Sequence, residues 1–299
     1  MPKHVLVIHN PTAGWLRRHR FVHFLTVLAE LGHAVELRHT EHAGHAEAIA
    51  MSVRQFGGCD LVVAAGGDGT VREVVNGLIG STIPLAVVPL GTANVLAWEI
   101  GIGDSIEKAV SVIGNGRVIE CRPGIAGGRR FMLMASAGID SRVVAGISRR
   151  AKRLLGKGAY AIGALKAISS ARENVVLEAD GERMEASIAI VTRARFYGGP
   201  FPLAPHADLS SARMWLAALP PAGFTRLAGA GLAMVAGTLP NHPALILRPV
   251  DNVRFLGPKG FPWQADGDLA GQLPFDVELD RESISLLVPP WDGQDQSAL

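Results

Sequence analysis

Apolar runs alternate with helical spacing over the first part of the chain. Residues 5–8 form an apolar run typical of a buried strand, and apolar side chains at 21, 24, 25, 28 and 31 recur at the spacing of one helix face. The same alternation predicts strands at 34–37, 61–64 and 84–88 and helices at 45–56 and 70–79. This pattern indicates an α/β domain with a parallel, doubly wound sheet, in which ligands bind beyond the carboxyl ends of the strands.

From about residue 117 the pattern changes to short strand-like segments, at 131–137, 174–179, 185–192, 244–249 and 284–288. Residues 177–184 are typical of a hairpin, because Asp180 and Gly181 form a dipeptide favoured in two-residue turns. We therefore expect an α/β domain over residues 1–124 and a mainly β domain over residues 125–299. The last strand is free to return to the first domain.

The composition is that of a globular protein without a membrane span. Of the 299 residues, 48% are hydrophobic and 19% are charged, and the net charge of +2 is too small to indicate a nucleic-acid partner. No apolar run approaches the ~18 residues that a spanning helix needs, and no signal peptide is evident. Two cysteines in strand-like segments favour reduced thiols and a cytoplasmic protein. A homodimer is compatible with the sequence.

The loop at 65–70 carries the clearest chemistry. It separates an apolar strand from a helix-like segment. Because glycine has no Cβ, Gly66, Gly67 and Gly69 let a phosphate approach the backbone, and the N–H groups at the helix start near Thr70 favour an anion. Asp68 would repel a bare phosphate. This conflict indicates either a metal-borne phosphate or a proton transfer, and it favours a kinase.

Two further polar loops follow strands of the same predicted sheet. Each is also typical of an ordinary turn, but three such loops at one sheet edge favour a nucleotide cradle. Thr40, after the second strand, is placed for a contact to the same ligand or for a helix cap. The loop residues are Asn10, Pro11, Thr12, Ala13 and Gly14 after the first strand and Gly91, Thr92 and Asn94 after the fourth.

In order and spacing these loops resemble the diacylglycerol kinase catalytic family, which includes bacterial lipid kinases and sphingosine kinases. The resemblance implies an ATP-binding α/β domain similar to that of NAD kinases, a β-sandwich domain, and phosphate transfer to a lipid hydroxyl in the cleft between them. It extends the ATP contacts to Val71 and Arg72 and places Mg2+ at the phosphates near Asp68. The segments that carry it are 10–14, Thr40 with 44–46, 66–70 with 76–77, and 89–94.

The second domain resembles the family in part. Residues 137–140 are similar to a glycine-hydrophobic-aspartate element, and residues 197–200 to a tyrosine-glycine run. Two segments compete for the late Asp-Gly-Glu motif, which in the family carries the general base. Residues 180–182 match it literally but lie at a predicted hairpin tip. We therefore favour residues 266–268, which lie where the family places its base.

Asp266 and Asp268 are thus the candidate catalytic acids of the second domain, together with Asp68 of the first. Aspartate replaces glutamate at 268, which moves the carboxylate back by about one C–C bond. Because positioned groups tolerate such shifts poorly, we expect Asp266 to carry more of the role of the base.

Some acids of the family pattern are absent. The family has a segment whose first aspartate holds a structural magnesium ion, and here Ser211 stands at that position and Trp215 at the last acidic one. Val95 stands where an aspartate is usual. We predict that this second metal site is weak or absent. A catalytically degenerate, lipid-binding relative therefore remains an alternative.

The main hypothesis is an ATP- and Mg2+-dependent kinase that phosphorylates diacylglycerol or a related lipid at the membrane surface. The alternative enzyme, a NAD kinase-like small-molecule kinase, explains the loop at 65–70 but neither the loop at 10–14 nor the late acidic motif. A basic cluster with interleaved apolar residues favours an anionic bilayer or a solvated helix face. Its members are Arg142, Arg149, Arg150, Lys152, Arg153 and Lys157.

Overall fold

The computed structural model describes residues 2–13, 18–146 and 173–290. The chain divides into two compact units. The first consists of Met1–Arg122 together with Arg281–Leu299, and the second of Pro123–Asp280.

The first unit is an α/β domain around a six-stranded sheet. Its strands are β1 (His4–His9), β2 (Ala34–His39), β3 (Leu61–Gly66), β4 (Leu85–Pro89), β5 (Arg117–Cys121) and β20 (Ile284–Val288), in the order β2-β1-β3-β4-β20-β5. Its helices are α1 (Arg18–Glu30), α2 (His45–Phe56), α3 (Asp68–Leu78), α4 (Val95–Glu99) and α5 (Ile106–Asn115). All neighbouring strands run parallel except β20 and β5. The predicted α/β domain is confirmed.

The inner strands of this sheet are apolar because both of their faces are covered. Strand β3, with the sequence LVVAAG, is buried at every position, and so is β4. Continuous apolar runs are typical of parallel strands packed on both sides. The loops that end these strands therefore lie at the edge of the sheet, on a rigid base.

Helices α2 and α3 pack closely where Gly77 lies. A Cβ on Gly77 would lie 2.5 Å from the carbonyl oxygen of Glu47 and 2.6 Å from the Cβ of Ala50. The neighbouring Asn76 donates from Nδ2 to Oε2 of Glu47 at 3.3 Å. The pair at 76–77, which contributes to the family resemblance, thus holds α3 against α2.

The second unit is a β-sandwich of two antiparallel sheets. Its strands are β6 (Gly124–Ala126), β7 (Arg129–Phe131), β8 (Met134–Gly138), β9 (Val175–Ala179), β10 (Glu182–Ala186), β11 (Ile188–Thr192), β12 (Phe196–Tyr197), β13 (Phe201–Pro202), β14 (Met214–Leu219), β15 (Ile246–Val250), β16 (Val253–Gly257), β17 (Pro262–Ala265), β18 (Asp268–Gln272) and β19 (Phe275–Leu279). The sheets have the orders β10-β9-β16-β19-β6-β7 and β15-β14-β11-β8-β17-β18, and β12 pairs with β13. Two helices, α6 (Ile139–Gly146) and α7 (Phe224–Val235), and a 3-10 helix (Leu239–Asn241) complete it.

One hydrophobic core fills the space between the two sheets. It includes Leu177 and Phe255 from one sheet and Val191, Leu216 and Trp263 from the other. The expected β-sandwich is therefore confirmed.

Two predicted strands are each divided between the sheets. The segment at 185–192 contains the end of β10 and all of β11, and the segment at 131–137 contains the end of β7 and most of β8. At each division the chain leaves one sheet and enters the other. Both sheets bury apolar side chains at these points. The apolar residues of the sequence therefore continue without a break, and the sequence does not show where the chain passes from one sheet to the other.

Substitution of Gly77 tests the packing of α3 on α2. We expect Gly77→Ala to lower the free energy of unfolding by about 1–3 kcal/mol, because the new methyl group meets backbone of α2. Gly114→Ala in α5 is the matched control, since a Cβ there has nothing within 4 Å. Urea titrations of both variants decide the matter, and a Gly77→Ala protein as stable as Gly114→Ala would contradict this packing.

Candidate active site

Three loops are joined by hydrogen bonds at the carboxyl edge of the first sheet. Asn10, after β1, donates from Nδ2 to Oγ1 of Thr70 at 3.1 Å. The carbonyl oxygen of Gly66 accepts from the backbone N–H groups of Leu90 and Gly91, at 3.0 and 3.2 Å. The structure thus brings together the loops predicted to form a nucleotide cradle.

Glycine is required where two of these loops touch. A Cβ on Gly91 would lie 2.5 Å from the Cα of Gly67, and a Cβ on Gly66 would lie 2.5 Å from Oγ1 of Thr70. Gly67 also forms the N-cap of α3. Bare backbone beside a helix N-terminus is the environment that a phosphate prefers, so this cradle fits a phosphate-bearing ligand.

Asp68 has a structural partner within this unit. It is the first residue of α3, and its Oδ1 accepts from the backbone N–H of Leu96 in α4 at 3.2 Å. Val95, at the position where the family usually has an aspartate, is buried at the start of the same short helix. The carboxylate in the anion-favouring loop therefore links α3 to α4.

Loop residues at 10–14 and 91–94 mainly organise their own loops. Oδ1 of Asn10 accepts from the N–H and the hydroxyl of Thr12, at 3.0 and 2.9 Å. Asn94 is buried with a left-handed φ of 50°, and its Nδ2 donates to the carbonyl of Gly91 at 3.0 Å. Thr92 is exposed. Gly14 lies outside the described residues.

The other residues predicted to contact ATP differ in position and burial. Thr40 donates its backbone N–H to the carbonyl of His9 at 2.9 Å, which places it beside the end of β1. Val71 is buried in α3, so its side chain belongs to the core, whereas Gly69 and Arg72 are half-buried in the same helix.

A pocket that was not predicted opens beside the first loop. Its volume is about 370 Å³. His9 stacks on Phe21 with 3.8 Å between ring centroids, and its Nδ1 lies 3.0 Å from Nδ1 of His39. The lining consists of His9, Pro11, Ala13, Arg18, Phe21, Val22, Leu25, Leu37, His39 and Leu90. Apolar walls with ring faces suit a planar aromatic group.

Burial, followed by the charge of His39, lowers the pKa of His9 to about 4. His9 is therefore neutral at pH 7. The two rings meet because β1 and β2 run in parallel register and both end in histidine. In the sequence, the signal for this pair is a histidine shortly after each of the first two predicted strands.

In the second unit, Asp266 and Gly267 form the two-residue turn between β17 and β18. Their φ angles are 48° and 83°, and those of Asp180 and Gly181 in the hairpin of β9 and β10 are 51° and 86°. The two Asp-Gly segments thus adopt the same turn. The hairpin predicted at 177–184 is confirmed. Because residues 266–268 also lie at a hairpin turn, position in a hairpin does not separate the two segments, and the preference for residues 266–268 rests on the resemblance.

The carboxylate of Asp266 is engaged by backbone. It accepts from the N–H groups of Met132, Leu133 and Met134 at 2.8, 2.9 and 3.0 Å. Both carboxylate oxygens are thus engaged by peptide groups, which hold the side chain in one orientation within the turn. This geometry argues against the expectation that Asp266 carries more of the role of the base than Asp268, which is exposed at the start of β18.

Gln264 connects this turn to two other predicted motifs. Its Oε1 accepts from the N–H of Gly267 at 2.7 Å, and its Nε2 donates to Oγ of Ser136 at 2.6 Å. Ser136 in turn bonds the buried carboxyl of Asp140, whose Oδ2 lies 3.5 Å from the hydroxyl of Tyr197. Burial raises the pKa of Asp140. The segments at 137–140, 197–200 and 266–268 therefore meet in one network within this unit.

Comparisons with known proteins agree with this arrangement. Residues 4–124 match the diacylglycerol kinase catalytic domain, and residues 134–288 match the YegS C-terminal NAD kinase beta sandwich-like domain. These two matches decide the family.

The chain belongs to the diacylglycerol kinase family.

Relatives of this kinase match it over nearly its whole length. The diacylglycerol kinase of Bacillus subtilis (strain 168) is 29% identical, over 96% of this chain and 97% of the relative. That of Staphylococcus carnosus (strain TM300) is 26% identical, over 97% and 96%. A crystal structure of a diacylglycerol kinase from Bacillus anthracis str. Sterne has the same fold, with a TM-score of 0.71, 19% identity and coverage of 96% and 97%. At the family level, this chain is a lipid kinase.

The basic cluster of this kinase lies outside the described residues except for Arg142. The guanidinium of Arg142 pairs with Glu173 at 2.5 Å and lies 4.7 Å from the ring centre of Phe261. Within the described ranges, no helix has both the length and the hydropathy needed to cross a membrane.

The histidine pair of the kinase predicts a dependence of stability on pH. Because the pKa of His9 falls from 6.5 to about 4 on folding, the unfolded chain binds more protons between these values. The free energy of unfolding should therefore decrease as the pH falls through this window. His9→Phe preserves an aromatic ring on Phe21, and we expect its decrease between pH 7 and pH 5 to be smaller.

Urea titrations at several pH values measure this decrease. His39→Asn provides the comparison, because it removes the smaller cause of the lowered pKa of His9 and leaves burial, the larger cause, in place. The free energy of unfolding of His39→Asn should therefore still fall between pH 7 and pH 5, by more than that of His9→Phe. Parallel pH profiles for the wild type and His9→Phe would contradict the assignment.

Proposed function

We propose that this lipid kinase transfers the γ-phosphate of ATP to the hydroxyl group of diacylglycerol or a closely related lipid. The observation that carries the proposal is the joined glycine cradle, in which Gly67 and Gly91 meet through backbone at the N-terminus of α3. Family membership supports the lipid acceptor. The remaining roles are inferred from the contacts within each unit.

In the first unit, the backbone of residues 66–69 binds the phosphates, and Asn10 holds the neighbouring loop in place. Thr12, Thr40 and Thr92 offer hydroxyl groups along the same edge of the sheet. The pocket beside His9 accommodates the nucleotide base, because it begins at the loop after β1 and has apolar walls.

Asp68 is the residue we propose to lie nearest the metal. Magnesium, when bound with ATP, supplies positive charge that neutralises the phosphates. The described residues contain no cluster of three or more histidine, cysteine or acidic side chains that would hold a metal by themselves. A metal carried by ATP fits this donor set better than a metal held by protein alone.

In the second unit, we propose that Asp268 accepts the proton of the lipid hydroxyl. Asp266 positions it, because three backbone N–H bonds fix the turn on which both residues lie. Gln264 supports the same turn through Gly267. The base is needed mainly as the hydroxyl becomes acidic during transfer.

Labelled ATP tests the reaction and the base together. The protein, supplied with γ-labelled ATP and Mg2+, should label diacylglycerol in mixed vesicles. We expect Asp268→Asn to lower kcat by about a hundredfold or more with little change in the KM for ATP. Glu182→Gln, altered at the position of the other hairpin that corresponds to Asp268, should retain wild-type kcat.

Asp266→Asn should instead lower the free energy of unfolding, because the amide accepts the three N–H bonds less well. Three results would contradict the proposal: label on NAD in place of lipid, nucleotide binding without turnover, and wild-type kcat in Asp268→Asn.

Helix α7 is the surface of the second unit that we propose to meet the bilayer. Phe224, Leu232 and Val235 are exposed by 52%, 73% and 67%. Phe224 and Val235 are separated by about three helical turns and therefore lie on the same side. Residues 224–235 contain one arginine and neither aspartate nor glutamate, which favours an anionic lipid surface.

Vesicle binding tests this surface. We expect Leu232→Asp to weaken binding to vesicles of phosphatidylglycerol and phosphatidylcholine by about tenfold, since an exposed leucine gains roughly 1.5 kcal/mol or more on burial. Turnover of a water-soluble short-chain diacylglycerol should be retained. Phe56→Asp is the matched control, because Phe56 is an exposed apolar residue of α2 in the first unit. Equal vesicle binding by Leu232→Asp and Phe56→Asp would contradict the assignment.

A further inference from the structure

The segment at 208–215 does not present the ligands of a magnesium site. Oδ1 of Asp208 accepts from the N–H and the hydroxyl of Ser210, at 2.8 and 2.7 Å. Oγ of Ser211, which stands at the position of the family's metal-binding aspartate, accepts from the N–H of Arg213 at 3.1 Å. Both side chains thus stabilise the turn itself, and the donor set does not fit a hard divalent cation.

A buried arginine approaches the same segment from β11. Arg193, directly after that strand, has no exposed surface. Its Nη1 donates to the carbonyl oxygen of Arg213 at 2.7 Å, and its Nη2 donates to that of Leu209 at 2.5 Å. These two carbonyl groups lie on either side of Ser211 in the sequence.

Carbonyl oxygens are ligands of hard cations, and a guanidinium is a cation that also requires oxygen acceptors. Its planar set of N–H groups can bond two carbonyls in fixed directions, which a lysine ammonium does less well. A buried positive charge also raises the energy of a second cation placed beside it. The guanidinium therefore holds this segment in place through two hydrogen bonds and makes the binding of a metal ion there less favourable.

We propose that Arg193 is a built-in cation that replaces the structural magnesium ion of the family pattern. Its guanidinium fixes the segment at 209–213 through the carbonyls of Leu209 and Arg213, so the second unit needs no metal to fold. The loss of the aspartate at 211 follows from this, since the positive charge no longer comes from an ion that needs a carboxylate. The proposal does not depend on the identity of the phosphate acceptor or of the base.

The test compares the full-length protein in EDTA and in millimolar Mg2+, without nucleotide. We expect the wild-type Tm to be the same in both, and hydrogen exchange of the peptide covering residues 207–216 to be unchanged by Mg2+. A wild-type Tm that EDTA lowers and Mg2+ restores, with protection of this peptide by Mg2+, would overturn the proposal. This measurement needs no variant and does not depend on activity.

Variants of Arg193 test the role of its side chain. Arg193→Met should lower the Tm by several degrees and accelerate exchange in the peptide at 207–216. Arg193→Lys keeps the positive charge but has one ammonium group in place of the planar guanidinium. Its Tm and its exchange rate in this peptide should lie between those of Arg193→Met and the wild type. Arg226→Met, which removes an exposed arginine from the same unit, is the matched control and should leave both readouts unchanged.

The exchange of one cation for the other provides a second test. In the double variant Arg193→Met with Ser211→Asp, a carboxylate is restored and the two carbonyl groups are released. We expect Mg2+ to raise the Tm of this variant and to slow hydrogen exchange in the peptide at 207–216. The Tm and the exchange of Ser211→Asp alone should not change with Mg2+. If Mg2+ changes neither the Tm nor the exchange of the double variant, the magnesium ion and the guanidinium are not equivalent, and the proposal is wrong.

Discussion

The site in the first unit depends on one contact in which two loops touch through backbone alone. Gly67 and Gly91 approach so closely that a single methyl group on Gly91 would separate them. The carbonyl of Gly66 accepts two N–H groups from the loop after β4 and holds the contact closed. This contact places the start of α3 beside the turn before α4. It also brings the carboxylate of Asp68 within hydrogen-bond distance of the N–H of Leu96. This arrangement leaves a surface of bare backbone, without side chains, beside the start of α3.

In the second unit, peptide groups bind two charged side chains, of which Arg193 is fully buried and Asp266 half-buried. Asp266 takes three backbone N–H donors, and Arg193 gives its N–H groups to two backbone carbonyls. Such contacts offset part of the cost of desolvating a charge. They also fix geometry, because the peptide groups are held by the sandwich itself. The hairpin with Asp268 is therefore held by the backbone of residues 132–134 through Asp266.

Much of the fold could be predicted because its signals are local. The apolar run that became β3 and the glycines after it lie within a few residues of each other, so the strand, the loop and the start of α3 follow from adjacent positions. The role of Asp266 could not be predicted in this way. Its partners, Met132 to Met134, lie more than 130 residues earlier, and only the pairing of β17 with β8 brings them near. Arg193 could not be predicted for a different reason, because a buried arginine and a surface arginine look alike in a sequence.

Strand β20 gives the molecule a particular order of assembly. It lies between β4 and the edge strand β5, so β5 cannot join the other four strands of the first sheet until residues 284–288 have left the ribosome. Until then, the edges of β4 and β5 offer unpaired backbone groups that could recruit a strand from another chain. The whole second unit is synthesised during this interval. Nascent chains that stall within it would carry an open sheet, and for them early capture by a chaperone would matter more than for a protein whose domains close in sequence.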